Sequence, residues 1–128
     1  MQIAEFQQWV KNTDEDTQWS LLTTLQLLSH LTEEVGELAQ SLNRAYSYAG
    51  KREELLAGVR QELTDVLWFL VKIANKFDVD LDAEAQGLVS RTDEWSTATL
   101  ERYRGELIAG LRTLDEELAA AKSKLSLE

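Results

Sequence analysis

EEVGE at residues 33–37 and ELTD at residues 62–65 are the two stretches around which this 128-residue chain is organised. Each lies inside a long run of helix-forming residues, and each contains two carboxylates three residues apart: Glu34 with Glu37, and Glu62 with Asp65. On an α-helix that spacing places both side chains on one face, one turn apart. Two such helices lying side by side would bring four carboxylates together, which is a suitable ligand set for a hard divalent cation.

Apolar residues recur at helical spacing along most of the chain, and no segment alternates as a strand would. The pattern predicts a short N-terminal amphipathic helix, a polar break over residues 12–16, and helices over about 19–48, 53–77, 81–92 and 98–125. The helix over 53–77 is apolar nearly all round, which predicts a central, buried position. We therefore expect an all-α fold, a four- to five-helix bundle forming a single domain over residues 1–128.

Short polar residues at the predicted helix ends suggest where the helices start and stop. The candidate caps for the first long helix are Asp14, Asp16 and Thr17. For the last helix they are Ser96 and Thr97, and Gly50 is the expected stop of the first long helix.

Composition limits the function classes. The chain has no Pro, which favours long helices, and no Cys, which excludes disulfides and Cys-ligated zinc. The formal net charge of −10 disfavours a nucleic acid polymer as partner. The N-terminus lacks the pattern of a signal peptide, and no apolar run approaches the roughly 18 residues of a membrane span. We expect a soluble, cytoplasmic protein without a membrane partner.

Helical phase separates a binding site from acids that simply face solvent. At about 100° per residue, Glu34 lies roughly 70° from the centre of its apolar stripe. Glu62 lies only about 40° from Val66, and Asp65 lies about 100° from Val66, at the boundary of the stripe. Unpaired carboxylates at such positions are costly to bury, and together they repel one another, so a divalent cation would remove both costs.

The acidic residues are compatible with two other interpretations. They could be ordinary solvated helix acids, because acids are frequent here and one E-x-x-E spacing is weak evidence. They could also hold a di-iron centre, but that site typically needs Glu-x-x-His on two helices. The only histidine is His30, and Leu27 rather than a glutamate stands three residues before it, which disfavours a di-iron centre. His30 itself is interpreted as a boundary residue rather than a catalyst.

The last helix carries apolar residues that alternate by four and three, which is a heptad seam of nearly three repeats. Its members are Leu107, Leu111, Leu114, Leu118, Ala121 and Leu125. The seam is compatible with packing on the chain's own bundle and with a contact between subunits, and the sequence leaves both open.

The two acidic motifs and their surroundings, LTEEVGELA at 31–39 and ELTDVLWFL at 62–70, resemble the MazG-like nucleoside triphosphate pyrophosphohydrolases. These belong to the all-α nucleotide pyrophosphatase superfamily, and the resemblance runs over about residues 19–91. It implies hydrolysis between the α- and β-phosphates of nucleoside triphosphates, in nucleotide-pool house-cleaning. It also implies a homodimer or a dimer of dimers.

The resemblance further implies Mg²⁺, with Mn²⁺ as a substitute, held by Glu34, Glu37, Glu62 and Asp65. These four residues and Glu33 would form the catalytic set, with Glu33 orienting or deprotonating the attacking water.

One feature of many MazG-like chains, an Asn-x-Lys-Phe stretch after the second motif, is absent. Arg91 stands near the position of that lysine and is a candidate phosphate contact, as are Lys72 and Lys76; each is also compatible with a surface charge. This departure keeps open a noncatalytic nucleotide- or metal-binding module of the same fold, and the heptad seam keeps open a structural adaptor. The base-binding site is unknown, because Trp19, Trp68 and Trp95 suit base stacking or core packing.

Overall fold

The computed structural model describes residues 1–47 and 52–126, and these residues form helices without any strand. The elements are α1 (Ile3–Asp16), a 3₁₀ turn (Trp19–Leu21), α2 (Thr24–Ser47), α3 (Arg52–Lys76), α4 (Leu81–Asp93) and α5 (Thr97–Ser126). The predicted all-α fold class is confirmed. Gly50, the expected stop of the first long helix, lies outside the described residues.

The predicted start of the first long helix was wrong. Residues 12–16 are not a break but the last turn of α1, and the long helix α2 begins at Thr24. The reason is a capping box: the backbone N–H of Gln26 donates to Thr23 Oγ1 (3.2 Å), and the backbone N–H of Thr23 donates to Gln26 Oε1 (2.9 Å). Asp14, Asp16 and Thr17 therefore do not cap α2.

The predicted start of the last helix is confirmed. The backbone N–H of Thr99 donates to Ser96 Oγ (3.2 Å), so Ser96 is the N-terminal cap of α5.

The chain divides into two compact units, Met1–Ala85 and Gln86–Glu128. In the first unit α2 packs along α3, while α1 contacts both α3 and the 3₁₀ turn. Its fully buried apolar side chains come from three helices and are Val10, Leu27 and Val71. In the second unit the Trp95 ring meets the Tyr103 ring edge-on at 6.0 Å. The interpretation of residues 1–128 as one domain stays a prediction.

The expected burial of α3 on all sides was wrong. Val59, Val71 and Ala74 are buried, but Leu63 and Leu70 on the same helix are 53% and 43% exposed. Periodicity reports which positions are apolar, and it does not report whether this chain itself covers them. None of the helices in the described part of the chain has both the length and the apolar character needed to cross a membrane.

A buried ion pair ties α1 to α3. Lys72 is 3% exposed and Asp14 is 9% exposed, and the Lys72 ammonium donates to Asp14 Oδ1. The same ammonium lies 4.8 Å from the ring centre of Trp19 and 4.7 Å from that of Trp68. A buried ammonium is tolerable here because a carboxylate and two aromatic faces replace its water.

Candidate metal centre

The packing of α2 on α3 brings carboxylates from both acidic motifs together. One carboxylate oxygen each from Glu34, Glu62 and Asp65 lie within 4.8 Å of one another. Glu34 projects from α2, and Glu62 and Asp65 project from successive turns of α3, as their three-residue spacing requires. The predicted convergence of the two motifs is therefore present for these three side chains.

Glu37, the fourth predicted member, belongs to the same electrostatic cluster. Its charge raises the pKa of both Glu34 and Glu62. Its own side chain is exposed, so it lies at the solvent side of the cluster.

The environment of the cluster opposes negative charge. Desolvation by burial is the largest cause that raises the pKa of Glu34 and of Glu62 above the ordinary value of 4.5. The neighbouring carboxylates act in the same direction, because like charges disfavour ionisation. Asp65 contributes to both shifts, as does Glu37. These acids carry a cost that solvated helix acids do not carry.

Two buried carboxylate oxygens indicate that a cation would fit the cluster. Glu34 Oε2 and Glu62 Oε2 are buried, and neither has a hydrogen-bond partner among the described residues. Buried polar atoms normally have a partner, so these two are suited to accept one. The donor set contains only carboxylate oxygens, which favours Mg²⁺, Mn²⁺ or Ca²⁺ over zinc. The residues present therefore fit a hard divalent cation.

Glu33 points to a different neighbour. Its Oε2 lies 3.1 Å from Nδ1 of His30, one turn earlier on α2. The His30 ring in turn stacks on Phe69 of α3, with ring centres 5.2 Å apart and planes 17° apart. The three-residue spacing of His30 and Glu33 on one helix is the signal in the sequence for this pair, which was not predicted.

The predicted phosphate-binding cations are placed in three different settings. Lys72 is buried against Asp14, which gives its ammonium a protein partner. Lys76 is exposed, and its ammonium donates to the backbone oxygen of Ser20. Arg91 is an exposed residue of α4 and belongs to the second compact unit. A phosphate role for each of them stays a prediction.

Aromatic side chains of α3 lie directly beyond the acidic motif. The ring centres of Trp19 and Trp68 are 5.5 Å apart, and those of Trp68 and Phe69 are 6.0 Å apart. Trp68 Nε1 is buried and has no hydrogen-bond partner among the described residues. Trp95 belongs instead to the second unit. Of the three tryptophans considered from the sequence, Trp19 and Trp68 therefore form one cluster.

Comparison with known proteins agrees with this geometry. A sequence model of the MazG nucleotide pyrophosphohydrolase domain matches residues 22–94, which is more than half of the chain and includes both acidic motifs. The uncharacterized protein YpjD of Bacillus subtilis (strain 168) is 39% identical over 59 residues. That match covers 45% of this chain and 53% of YpjD, so the chain spans about half the length of this relative.

A solved structure supports the fold. The crystal structure of the Bacillus-conserved MazG protein, a nucleotide pyrophosphohydrolase, superposes with a TM-score of 0.62 at 23% identity. The match covers 77% of this chain and 96% of that one. With two paired-carboxylate motifs meeting on α2 and α3 inside the matched range, the chain belongs to the MazG nucleotide pyrophosphohydrolase domain family.

Proposed function

We propose that this protein hydrolyses nucleoside triphosphates to a nucleoside monophosphate and pyrophosphate, using Mg²⁺. One observation carries the proposal: Glu34, Glu62 and Asp65 present oxygens within 4.8 Å of one another in a chain of this family. The buried oxygens of Glu34 and Glu62 that have no hydrogen-bond partner within residues 1–47 and 52–126 support it further, because they suit metal ligation.

The residues divide into two groups by what they can do. Glu34, Glu37, Glu62 and Asp65 would hold the cation, as the family resemblance implies. Bound Mg²⁺ would neutralise the triphosphate, polarise phosphorus and lower the pKa of a water molecule.

Glu33 is the proposed base. The oxygen of a water molecule bonds to the α-phosphorus, and one of its protons passes to the Glu33 carboxylate. The bond between the α-phosphorus and the bridging oxygen breaks, which releases pyrophosphate. The contact at 3.1 Å with His30 Nδ1 would orient that carboxylate.

Pyrophosphate release from a panel of canonical and modified nucleoside triphosphates, with and without Mg²⁺, tests the proposal. We expect release from at least one nucleotide, only with the metal, and in equal amount to the monophosphate. The panel also identifies the base and sugar. Nucleotide binding without release from any of them would contradict the proposal and favour the noncatalytic module.

The apolar surface of α2 and α3 supports a homodimer or a dimer of dimers, which we include in the proposal. Leu25 and Leu28 on α2 are 76% and 50% exposed, and Leu63 and Leu70 on α3 are exposed as well. Exposed large apolar side chains on both helices suit a contact with a second copy of the chain. Light scattering during gel filtration measures the mass directly, and a monomer at every concentration would contradict this part. A cytoplasmic location, where nucleoside triphosphates are made, completes the proposal.

The stability of the protein should depend on Mg²⁺ and on pH together. Because the pKa of Glu34 and Glu62 is raised on folding, the metal-free native state binds protons more tightly than the unfolded chain. Its free energy of unfolding should therefore fall as pH rises from about 4.5 through the raised pKa values. Saturating Mg²⁺ should raise Tm by about 5–10 °C near neutral pH.

The Mg²⁺ effect should shrink as the pH is lowered, because protons then occupy the ligand oxygens. Thermal unfolding with Mg²⁺ or with a chelator, across that pH range, measures both trends. An increase in Tm that is the same in acid and at neutral pH would place the cation elsewhere. The exposed acid Glu53, which pairs with Arg60 on the surface of α3, offers a control variant, Glu53→Gln.

A further inference from the structure

The seam of α5 is an apolar surface outside the family match. The helix spans Thr97–Ser126, beyond the matched residues 22–94. Four leucines of the seam are at least half exposed: Leu107 (54%), Leu111 (64%), Leu114 (51%) and Leu118 (52%). Isolated helices owe little stability to propensity alone, so a 30-residue helix with an exposed apolar stripe needs a partner for that stripe.

The spacing of the seam defines the kind of partner. Alternation by four and three is the a/d pattern of a coiled coil, in which the partner is another helix with the same repeat. A second copy of α5 carries that repeat. We propose that α5 pairs with α5 of a second copy of this chain in an antiparallel coiled coil, with Leu107 opposite the partner subunit's Leu118.

The polar and small residues of the seam select the antiparallel direction. Continuing the heptad toward the N-terminus places Arg104 in the seam, and continuing it toward the C-terminus reaches Ala121. In a parallel pair in register, Arg104 would face its own copy, which places two like charges at one core layer. In the antiparallel pair, Arg104 lies opposite the partner's Ala121, where the small side chain leaves room for it.

The same antiparallel register aligns the remaining core and the flanking charges. Leu111 then lies opposite the partner's Leu114, so the central layers contain leucine on both sides. Glu101 flanks the seam near the partner's Lys122, which is a favourable pair. A parallel pair would also gain one favourable pair, Glu117 with the partner's Lys122, so the charge at Arg104 is the feature that distinguishes the two directions.

Engineered thiols test this arrangement in the full chain, because the natural sequence has no cysteine. Two variants, Leu107→Cys and Leu118→Cys, are purified separately, then mixed and treated with a short bis-maleimide. We expect the mixture to give a crosslinked dimer containing one copy of each, identified by mass. Each variant alone should give little dimer, since identical positions lie far apart in antiparallel helices.

A matched pair of variants on the opposite face of α5 gives the control. Ala109→Cys and Glu116→Cys lie at the same levels of the helix as the two test sites but outside the seam, so their mixture should not crosslink. Efficient dimer formation by Leu107→Cys alone would show a parallel pair and overturn the proposal. The absence of crosslinks in the mixed test pair, with thiol labelling intact and circular dichroism unchanged, would also overturn it. None of these outcomes depends on catalytic activity.

Discussion

Replacing Glu62 by glutamine should reduce pyrophosphate release by about 10²–10³ or more, while the helices stay folded. The amide keeps the size of the side chain but removes the negative charge of a buried oxygen that no side chain in the described part of the chain hydrogen-bonds. That change removes one of the four proposed ligands and leaves Glu34, Asp65 and the exposed Glu37 to hold the metal. Glu37→Gln should also abolish turnover, since Glu37 belongs to the same cluster.

Although Glu62→Gln should lower activity, it should not lower the stability of the metal-free protein. In the metal-free protein, burial and the neighbouring carboxylates raise the pKa of Glu62, so its charge is unfavourable near neutral pH. Glu62→Gln should therefore leave Tm unchanged or raise it without metal, and it should lose most of the increase that Mg²⁺ causes. A loss of turnover caused by unfolding would instead lower Tm under both conditions.

Pyrophosphate release and thermal unfolding, each with and without Mg²⁺, measure the two effects. Glu53→Gln removes an exposed acid from the same helix, so it should behave as the parent protein does. Near-normal turnover in Glu62→Gln would show that the ligand assignment is wrong.

The position of each acidic motif on its own helix could be predicted because it depends on local periodicity. Helical phase alone placed Glu34 and Glu62 at the boundary of an apolar stripe, and both are partly buried in the structure. The start of α2 was also encoded locally, in Thr23 and Gln26, but the acids and Thr17 nearer the chain start were preferred as caps. The start of α2 is marked by a capping box in which glutamine replaces glutamate, and this is a weaker sequence signal than an acid or threonine at a polar break.

What the sequence could not predict is long-range pairing. Asp14 and Lys72 are 58 residues apart, and no periodicity relates them. The sequence alone makes Asp14 a candidate helix cap, and it makes Lys72, which interrupts the most apolar stretch of the chain, a candidate phosphate contact. Similarly, the leucines of α3 and α5 are equally apolar in the sequence whether the same chain or a second chain covers them. Apolar spacing alone does not distinguish the two cases, and the exposure of these leucines in the folded chain is the observation that does.

The Lys72–Asp14 pair should dominate the stability of α1. Lys72→Met keeps most of the side-chain volume but leaves the Asp14 carboxylate buried without its cation. Removing one partner of a buried pair costs about 3–5 kcal/mol, which is a large part of the 5–15 kcal/mol available to a domain. The double variant Lys72→Met/Asp14→Leu should recover most of that loss, because neither charge then remains to be desolvated.

Urea unfolding at one fixed protein concentration measures the two single variants and the double variant as a thermodynamic cycle. Lys11→Met replaces an exposed lysine of α1 and should change stability by less than about 1 kcal/mol. If Lys72→Met were equally mild, the ion pair with Asp14 would contribute little to stability, and the Lys72 ammonium would be available to contact a phosphate. A large loss of stability in Lys72→Met that Asp14→Leu restores would instead show that Lys72 holds α1 and the Trp19 turn against α3. Lys76 and Arg91 would then remain as the candidates for phosphate contact.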